Sequence, residues 1–195
     1  MSHIGLFGGT FDPIHNGHLI TVNYLYEKRN LDKLILMPSY ISPLKTDVKS
    51  ASSEDRFKMA KLAVQGFSNF EVSDFEIKNG GVSYTIDTLK ELKKVYEEID
   101  LIIGYDNLLI FDKWKNPEQI FELANVVVMK RSVDSPGSVM NEFCSKATII
   151  NTPIIDISST EIRERVTGNL PIDKLVPQKV NDYIVKNKLY QPKIL

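Results

Sequence analysis

Apolar positions along the chain fall into two alternating patterns. Short continuous runs, Ile4 to Phe7, Leu34-Ile35-Leu36-Met37, Leu101-Ile102-Ile103 and Val126-Val127-Val128-Met129, have the length and composition of strands covered on both faces. Gly8-Gly9, Pro38 and Gly104 punctuate their ends. Between the runs, apolar residues recur at helical spacing. Asn16 to about Arg29 predicts a first helix. Glu54 to Gly66 predicts a second, with Phe57, Ala60 and Val64 on one face, and Gly66 ends it. Tyr84 to Tyr96 predicts a third, with Ile86, Leu89, Leu92 and Tyr96 on one stripe. Asn116 to Leu123 reads as a short helix with Pro117 in its first turn. Ser158 to Val166 and Gln178 to Lys188 read as closing helices. Phe70 to Phe75 alternates apolar and polar, as a half-exposed strand does, and Thr148 to Ile155 holds one or two short strands broken at Pro153. The polar stretch from Ser39 to Ser53 reads as a loop long enough to suggest function.

Strands alternating with helices, the central strands wholly apolar, predict an α/β fold: a Rossmann-like open, mostly parallel sheet with helices on both faces and a small C-terminal helical portion. Such sheets bind ligands outside the carboxyl ends of the strands, where the strand order reverses. Gly8-Gly9 and Gly104 would then border one crevice.

Composition narrows the ligand. Lys+Arg total 24 against 25 Asp+Glu, so the net charge is -1. No basic excess points to nucleic acid or to a membrane surface, and neither is expected as a partner. A small anion remains compatible, because a local cluster of His, Lys and Arg can hold it. Cys144 is the single cysteine. No intrachain disulfide can form, which fits the reducing cytoplasm. The start, Met1-Ser2-His3-Ile4-Gly5, lacks the charge-then-apolar pattern of a signal peptide, and no apolar run is long enough to cross a bilayer.

Two segments carry candidate chemistry. The first is Gly8-Gly9-Thr10-Phe11-Asp12-Pro13-Ile14-His15-Asn16-Gly17-His18, between the first strand and the first helix. Two glycines there allow a tight turn and a close approach to a ligand. With Asn16 as N-cap, Gly17 and His18 fall in the first helical turn, where free N–H groups and the helix dipole favour an anion. His15 and His18 can then both face a polyphosphate. A metal pair is the competing chemistry; it would need Asp12 or a distant residue as third ligand, and no protein-held metal is expected. The second segment is Ile157-Ser158-Ser159-Thr160-Glu161-Ile162-Arg163. Ser158 with Glu161 predicts a capping box. Ser159 and Thr160 offer hydroxyls at a positive helix end, and Arg163, one turn on, can reach back with forked donors for phosphate.

The first segment resembles the G-G-x-F-D-P-x-H-x-G-H signature of the His-x-Gly-His nucleotidyltransferase superfamily, and the second its I-S-S-T-x-I-R motif. Ser83-Tyr84-Thr85-Ile86-Asp87-Thr88-Leu89, Gly104-Tyr105-Asp106 and Lys113-Trp114 narrow the resemblance to bacterial nicotinate mononucleotide adenylyltransferases, from Ile4 to about Leu189. The resemblance implies a single nucleotidyltransferase domain over residues 1–195, with closing helices 158–189 packed on it. It implies transfer of AMP from ATP, carried with Mg2+, to nicotinate mononucleotide. His15, His18 and Arg163 would be catalytic. Gly8, Gly9, Thr10, Phe11, Gly104, Asp106, Ser158, Ser159 and Thr160 would join them in holding ATP. Lys45, Thr85 and Trp114 would hold the mononucleotide. Tyr105 and Ser42-Pro43-Leu44 depart from the family pattern in the two pockets. Other adenylyltransferases of the superfamily, a nucleotide sensor without catalysis, and a metal-dependent hydrolase built on Asp12, His15 and His18 are the competing readings.

Overall fold

The computed structural model of the protein describes residues 2–42, 51–130 and 141–191. Its strands are β1 (His3–Gly9), β2 (Lys33–Pro38), β3 (Phe70–Val72), β4 (Glu98–Gly104), β5 (Asn125–Lys130) and β6 (Thr148–Asn151). Its α-helices are α1 (Asn16–Lys28), α2 (Ser53–Ala63), α3 (Phe75–Asn79), α4 (Thr85–Leu92), α5 (Tyr105–Leu109), α6 (Pro117–Leu123), α7 (Ser159–Thr167) and α8 (Gln178–Lys186). The strands form one sheet in the order β3-β2-β1-β4-β5-β6, and each pairing is parallel. β1 therefore lies between β2 and β4, and the strand order reverses there. This is the doubly wound arrangement the alternation predicts.

Period-two side-chain alternation explains why the central strands are apolar throughout. Leu34 and Leu36 of β2, Ile102 of β4 and Val127 of β5 face one core, shared with Val22 and Leu25 of α1, Met59 and Ala60 of α2, Ile162 of α7 and Ile184 of α8. Ile35 and Met37, Leu101 and Ile103, and Val126 and Val128 face the opposite core, against Ile86 and Leu89 of α4, Leu108 of α5 and Ile120 of α6. Crossovers on opposite faces open a crevice above β1 and β4.

Two expectations change, and an open one narrows. The strand read from Phe70 to Phe75 ends at Val72. Ser73 makes the last ladder bond to Leu36, and its hydroxyl then accepts from the Phe75 amide, turning the chain into α3. The buried face of α2 is Arg56, Met59, Ala60 and Ala63 rather than the stripe beginning at Phe57. Thr148 to Ile155 yields one strand, which stops at Asn151 before Pro153.

At the amino-terminal ends of the strands, away from the crevice, Asp100 of β4 is fully buried. Its carboxylate accepts from Arg29 Nε at 2.6 Å and Asn125 Nδ2 at 3.1 Å, and His3 Nε2 lies 3.0 Å away. Burial would raise its pKa, but the hydrogen bonds from Arg29, His3 and Asn125 outweigh it and hold the carboxyl below its ordinary value. A depressed folded-state pKa adds stability above the unfolded value and loses it as pH falls through the folded one. Asp100→Ala leaves the Arg29 guanidinium without its carboxylate, so it should cost about 3 kcal/mol in urea unfolding at neutral pH. A midpoint equal to that of the unsubstituted protein would contradict this account of Asp100.

Candidate functional site

The crevice is a cleft of about 1510 Å³. One wall comes from the segment leaving β1, where Gly8, Gly9, Thr10, Phe11, His15 and His18 line it. The start of α7 supplies a second, with Ser158, Ser159, Thr160 and Arg163. Gly104, the last residue of β4, and Asp106 of α5 form a third. Thr85, at the start of α4, and Trp114, after the 3-10 turn Phe111–Lys113, lie in the same cleft. Segments far apart in sequence thus converge. Lys45 and most of the predicted 39–53 loop fall outside the described residues.

Neither glycine of the pair makes the turn. Positive φ falls on Phe11, at 50°, a costly conformation for a bulky side chain that survives where its surroundings over-determine it. The Phe11 ring is 3% exposed and packs on Phe7 and His18 at centroid distances of 5.4 and 5.3 Å. A Cβ at Gly8, by contrast, would meet nothing within 4 Å. Gly8 leaves room in the cleft rather than bending the chain.

The cap of α1 is His15, not Asn16. His15 Nδ1 accepts from the His18 amide and His18 Nδ1 accepts from the His15 amide, both at 3.3 Å. The two rings stack with centroids 3.6 Å apart. Gly17 permits this, because a Cβ there would lie 3.0 Å from His15 Nδ1. Asn16 instead ties the helix start to the chain's end, through its amide to the Leu175 carbonyl and its side chain to that of Lys174. At α7 the Ser158 hydroxyl accepts from the Glu161 amide, whereas the Glu161 carboxylate approaches Arg165, so only half of the predicted capping box exists.

The reciprocal cap fixes the chemistry of the imidazoles. A ring whose Nδ1 accepts from a backbone amide carries its proton on Nε2 when neutral, so Nε2 is a donor. Burial lowers the His15 pKa to about 4, so His15 acts as a neutral donor near pH 7.

Asp12 is 4% exposed and lines the same cleft as the histidines. Its Oδ1 accepts from the Ala51 amide at 3.0 Å and from the Tyr190 hydroxyl at 2.8 Å. Arg163 donates to the Asp12 carbonyl at 2.7 Å and to the Thr160 hydroxyl at 3.1 Å. Ser159 donates to the Pro13 carbonyl at 2.9 Å. Asp12 is committed to structure, which removes the third ligand from the metal-hydrolase reading. Among the described residues, the group spaced to hold a metal is His3, Glu98 and Asp100, at the far end of the strands where Arg29 already occupies Asp100. Trp114 stacks on Phe111 at 4.8 Å.

Sequence reasoning missed Tyr190, Arg56 and Glu76. Arg56 had a signal: with Met59, Ala60 and Ala63 it completes an i, i+3, i+4, i+7 stripe, and a charge in an apolar stripe marks a buried contact.

Fold and motifs together define a nucleotidyltransferase. Residues 6–165 match the cytidylyltransferase-like family, and the chain belongs to it. Within it the chain aligns end to end with relatives of one kind. A "Probable nicotinate-nucleotide adenylyltransferase" of Clostridium beijerinckii is 39% identical over 98% of this chain and 100% of its own. A protein of the same name from Caldicellulosiruptor saccharolyticus is 40% identical over 96% of this chain and 98% of its own. The fold is also that of Plasmodium falciparum nicotinic acid mononucleotide adenylyltransferase complexed with NaAD, with a TM-score of 0.79, 20% identity and coverage of 97% and 98% of the two chains.

The His15 cap has a pH signature. Its folded pKa of about 4 lies below the ordinary value of 6.5, so between those values the unfolded chain binds more protons. Stability therefore falls as pH drops from 6.5 to 4, by about 3 kcal/mol over the whole window. His15→Asn keeps a capping acceptor and should flatten that slope in melting curves taken across the window. An unchanged slope would show that His15 does not carry it.

Proposed function

We propose that this protein transfers AMP from ATP to nicotinate mononucleotide, forming deamido-NAD and releasing pyrophosphate. The observation that carries this reading is the convergence of His15, His18, Arg163, Thr85 and Trp114 on one cleft at the switch point of the sheet. Full-length relatives at about 40% identity carry the corresponding name.

A phosphate oxygen of the mononucleotide attacks the α-phosphorus of ATP. The bond from that phosphorus to the bridging oxygen breaks, and pyrophosphate leaves with the electron pair. The protein positions the reactants and stabilises charge. His18 Nε2–H serves the α-phosphate region and His15 the neighbouring phosphates, with the amides near Gly9 and Thr10 beside them. The start of α7 receives the β- and γ-phosphates through its free amides, Thr160 and Arg163. Ser159 contributes its amide there, since its hydroxyl is taken by Pro13. Lys45 assists at the phosphates. Gly104 and Asp106 hold adenosine. Thr85 takes the pyridine carboxylate at the start of α4, and Trp114, backed by Phe111, offers its ring to the pyridine. Mg2+ arrives with ATP, bound largely through water. The reading places the reaction in the cytoplasm, without nucleic-acid or membrane partners. Among the described residues no helix is long and apolar enough to cross a membrane.

Chromatography of products after incubation with Mg-ATP and nicotinate mononucleotide, nicotinamide mononucleotide or phosphopantetheine separately should show a dinucleotide with the first. A preference for another acceptor would replace the substrate, and no product with any would favour a sensor. His18→Ala should lower kcat about 100-fold or more, the scale of one preorganised donor. His15→Asn should lose turnover while keeping its fold, since it caps α1 but brings no Nε2–H to the cleft. Near-normal turnover in either variant would remove that histidine from the mechanism.

A further inference from the structure

Arg56 has no place in the motifs or in the phosphate-binding set. It is 3% exposed, on the inner face of α2. Its guanidinium splits between two main-chain carbonyls: Nη1 donates to Thr10 at 2.7 Å and Nη2 to Tyr40 at 3.0 Å. Asp12 acts on it through space, and burial lowers its pKa. Taking a guanidinium out of water costs several kcal/mol even after relaxation, and an apolar side chain of similar volume would serve stability as well. Something other than stability accounts for a fork spent on two neutral carbonyls.

The two carbonyls belong to different halves of the cleft. Thr10 lies in the segment that carries His15 and His18. Tyr40 lies in the segment after β2, which is bonded to the start of α4. The Tyr40 amide donates to Ser83 Oγ at 3.0 Å, and the Ser83 amide donates to the Ile41 carbonyl at 3.0 Å. Ser83 and Thr88 both hydrogen-bond the carboxylate of Glu76, Thr88 at 2.6 Å, so the far end is anchored on α3 and α4. The Ser39 amide also donates to the Gly9 carbonyl, at 3.0 Å. A continuous strut thus runs from Thr10 through Arg56, Tyr40 and Ser83 to the helix that begins at Thr85.

We propose that Arg56 is a positioning residue for the transfer: its forked hydrogen bonds set the separation between the phosphate-binding segment and the acceptor-binding start of α4. The proposal rests on the reaction assigned above. In-line attack demands that acceptor oxygen and α-phosphorus meet at a fixed distance, and an error of about 1 Å costs about 100-fold in rate. The strut bonds the carbonyls of Thr10 and Tyr40, not the donors assigned to either substrate. Loss of the strut therefore spares the binding of either substrate alone and costs the step that needs both.

Arg56→Lys keeps the charge and removes the fork. Its kcat should fall about 10- to 100-fold. Calorimetric dissociation constants for Mg-ATP alone and nicotinate mononucleotide alone should stay within about threefold of the unsubstituted protein. Ser83→Ala, at the other end, should give a smaller loss of the same kind. The double variant should lose little more than Arg56→Lys, because both act on one strut. Unchanged kcat in Arg56→Lys overturns the proposal. So does a loss confined to Mg-ATP affinity, which would make Arg56 a charge for the phosphates, and so do losses that simply multiply. If Arg56→Lys does not fold, Ser83→Ala decides alone: unchanged kcat overturns the proposal. Amide exchange across residues 37–42 is independent of the acceptor's identity and should quicken in both variants. An unsubstituted protein that adenylates no mononucleotide would sink the proposed reaction, while unchanged exchange would sink the strut.

Discussion

Between Gly9, where β1 ends, and Asn16, where α1 begins, the chain has left its sheet partners and not yet gained helical ones. Its carbonyls are buried and must find donors elsewhere. Arg56 supplies Thr10, Arg163 supplies Asp12, and Ser159 supplies Pro13. Asp12 adds a fourth anchor through its side chain, which gathers the Ala51 amide and the Tyr190 hydroxyl. The donors come from α2, α7 and the end of the chain. This external satisfaction lets Phe11 sit at a φ of 50° and holds the imidazoles where the helix dipole points. The rest of the cleft is arranged around a segment that cannot hold its own shape.

The same constraint clarifies the electrostatics. A chain with net charge -1 offers an anion no global attraction. Burial keeps His15 neutral, so it contributes a directed N–H rather than a full charge. Arg163 spends one nitrogen on Asp12 and another on Thr160, and its remaining donor capacity is aimed by those bonds. Preorganised donors of this kind act where charge develops and need no reorganisation as it does. Asp12 balances the two arginines, Arg56 through space and Arg163 at 3.9 Å. Burial, and then the tie to Asp12, push the Tyr190 phenol pKa well above the ordinary range, so that hydroxyl remains a donor.

Much of this was legible before any coordinates. Fully apolar strands could be read because both faces of each are covered, and the switch point followed from the alternation. The glycine-and-histidine segment and the start of α7 stood out because their residue types are those that anion binding would require, and the fold brings both to one cleft. The errors have physical causes. Asn16 looked like the cap by composition, but His15 can accept from His18 because Gly17 leaves space beside its ring. Phe70 to Phe75 looked like a strand because alternation cannot reveal that Ser73 will bond the Phe75 amide. Glu76 and Tyr190 left no sign in the sequence, and Arg56 only its place in an apolar stripe, for a common reason. Each is defined by a partner distant in sequence, at separations of 46, 12 and 178 residues respectively.

Those separations also bear on how the site comes into being. The segment that carries the histidines is made early in the chain, yet its anchors include Ser159, Arg163, Leu175 and Tyr190. Contacts this distant are closed late, after nearer ones have reduced the entropy of the intervening chain. The first motif therefore completes its hydrogen bonds only with donors from α7 and from the chain after α8. The docking of α7 and α8 uses the same core that α1 and α2 build, through Ile162, Val180 and Ile184. Burial of these apolar side chains supplies the free energy, while the polar anchors add direction at little net gain each. Stability and site geometry are thus set by neighbouring but different residues of the closing helices. The apolar positions decide whether the helices dock, and Ser159 and Arg163 decide where the first motif lies once they have.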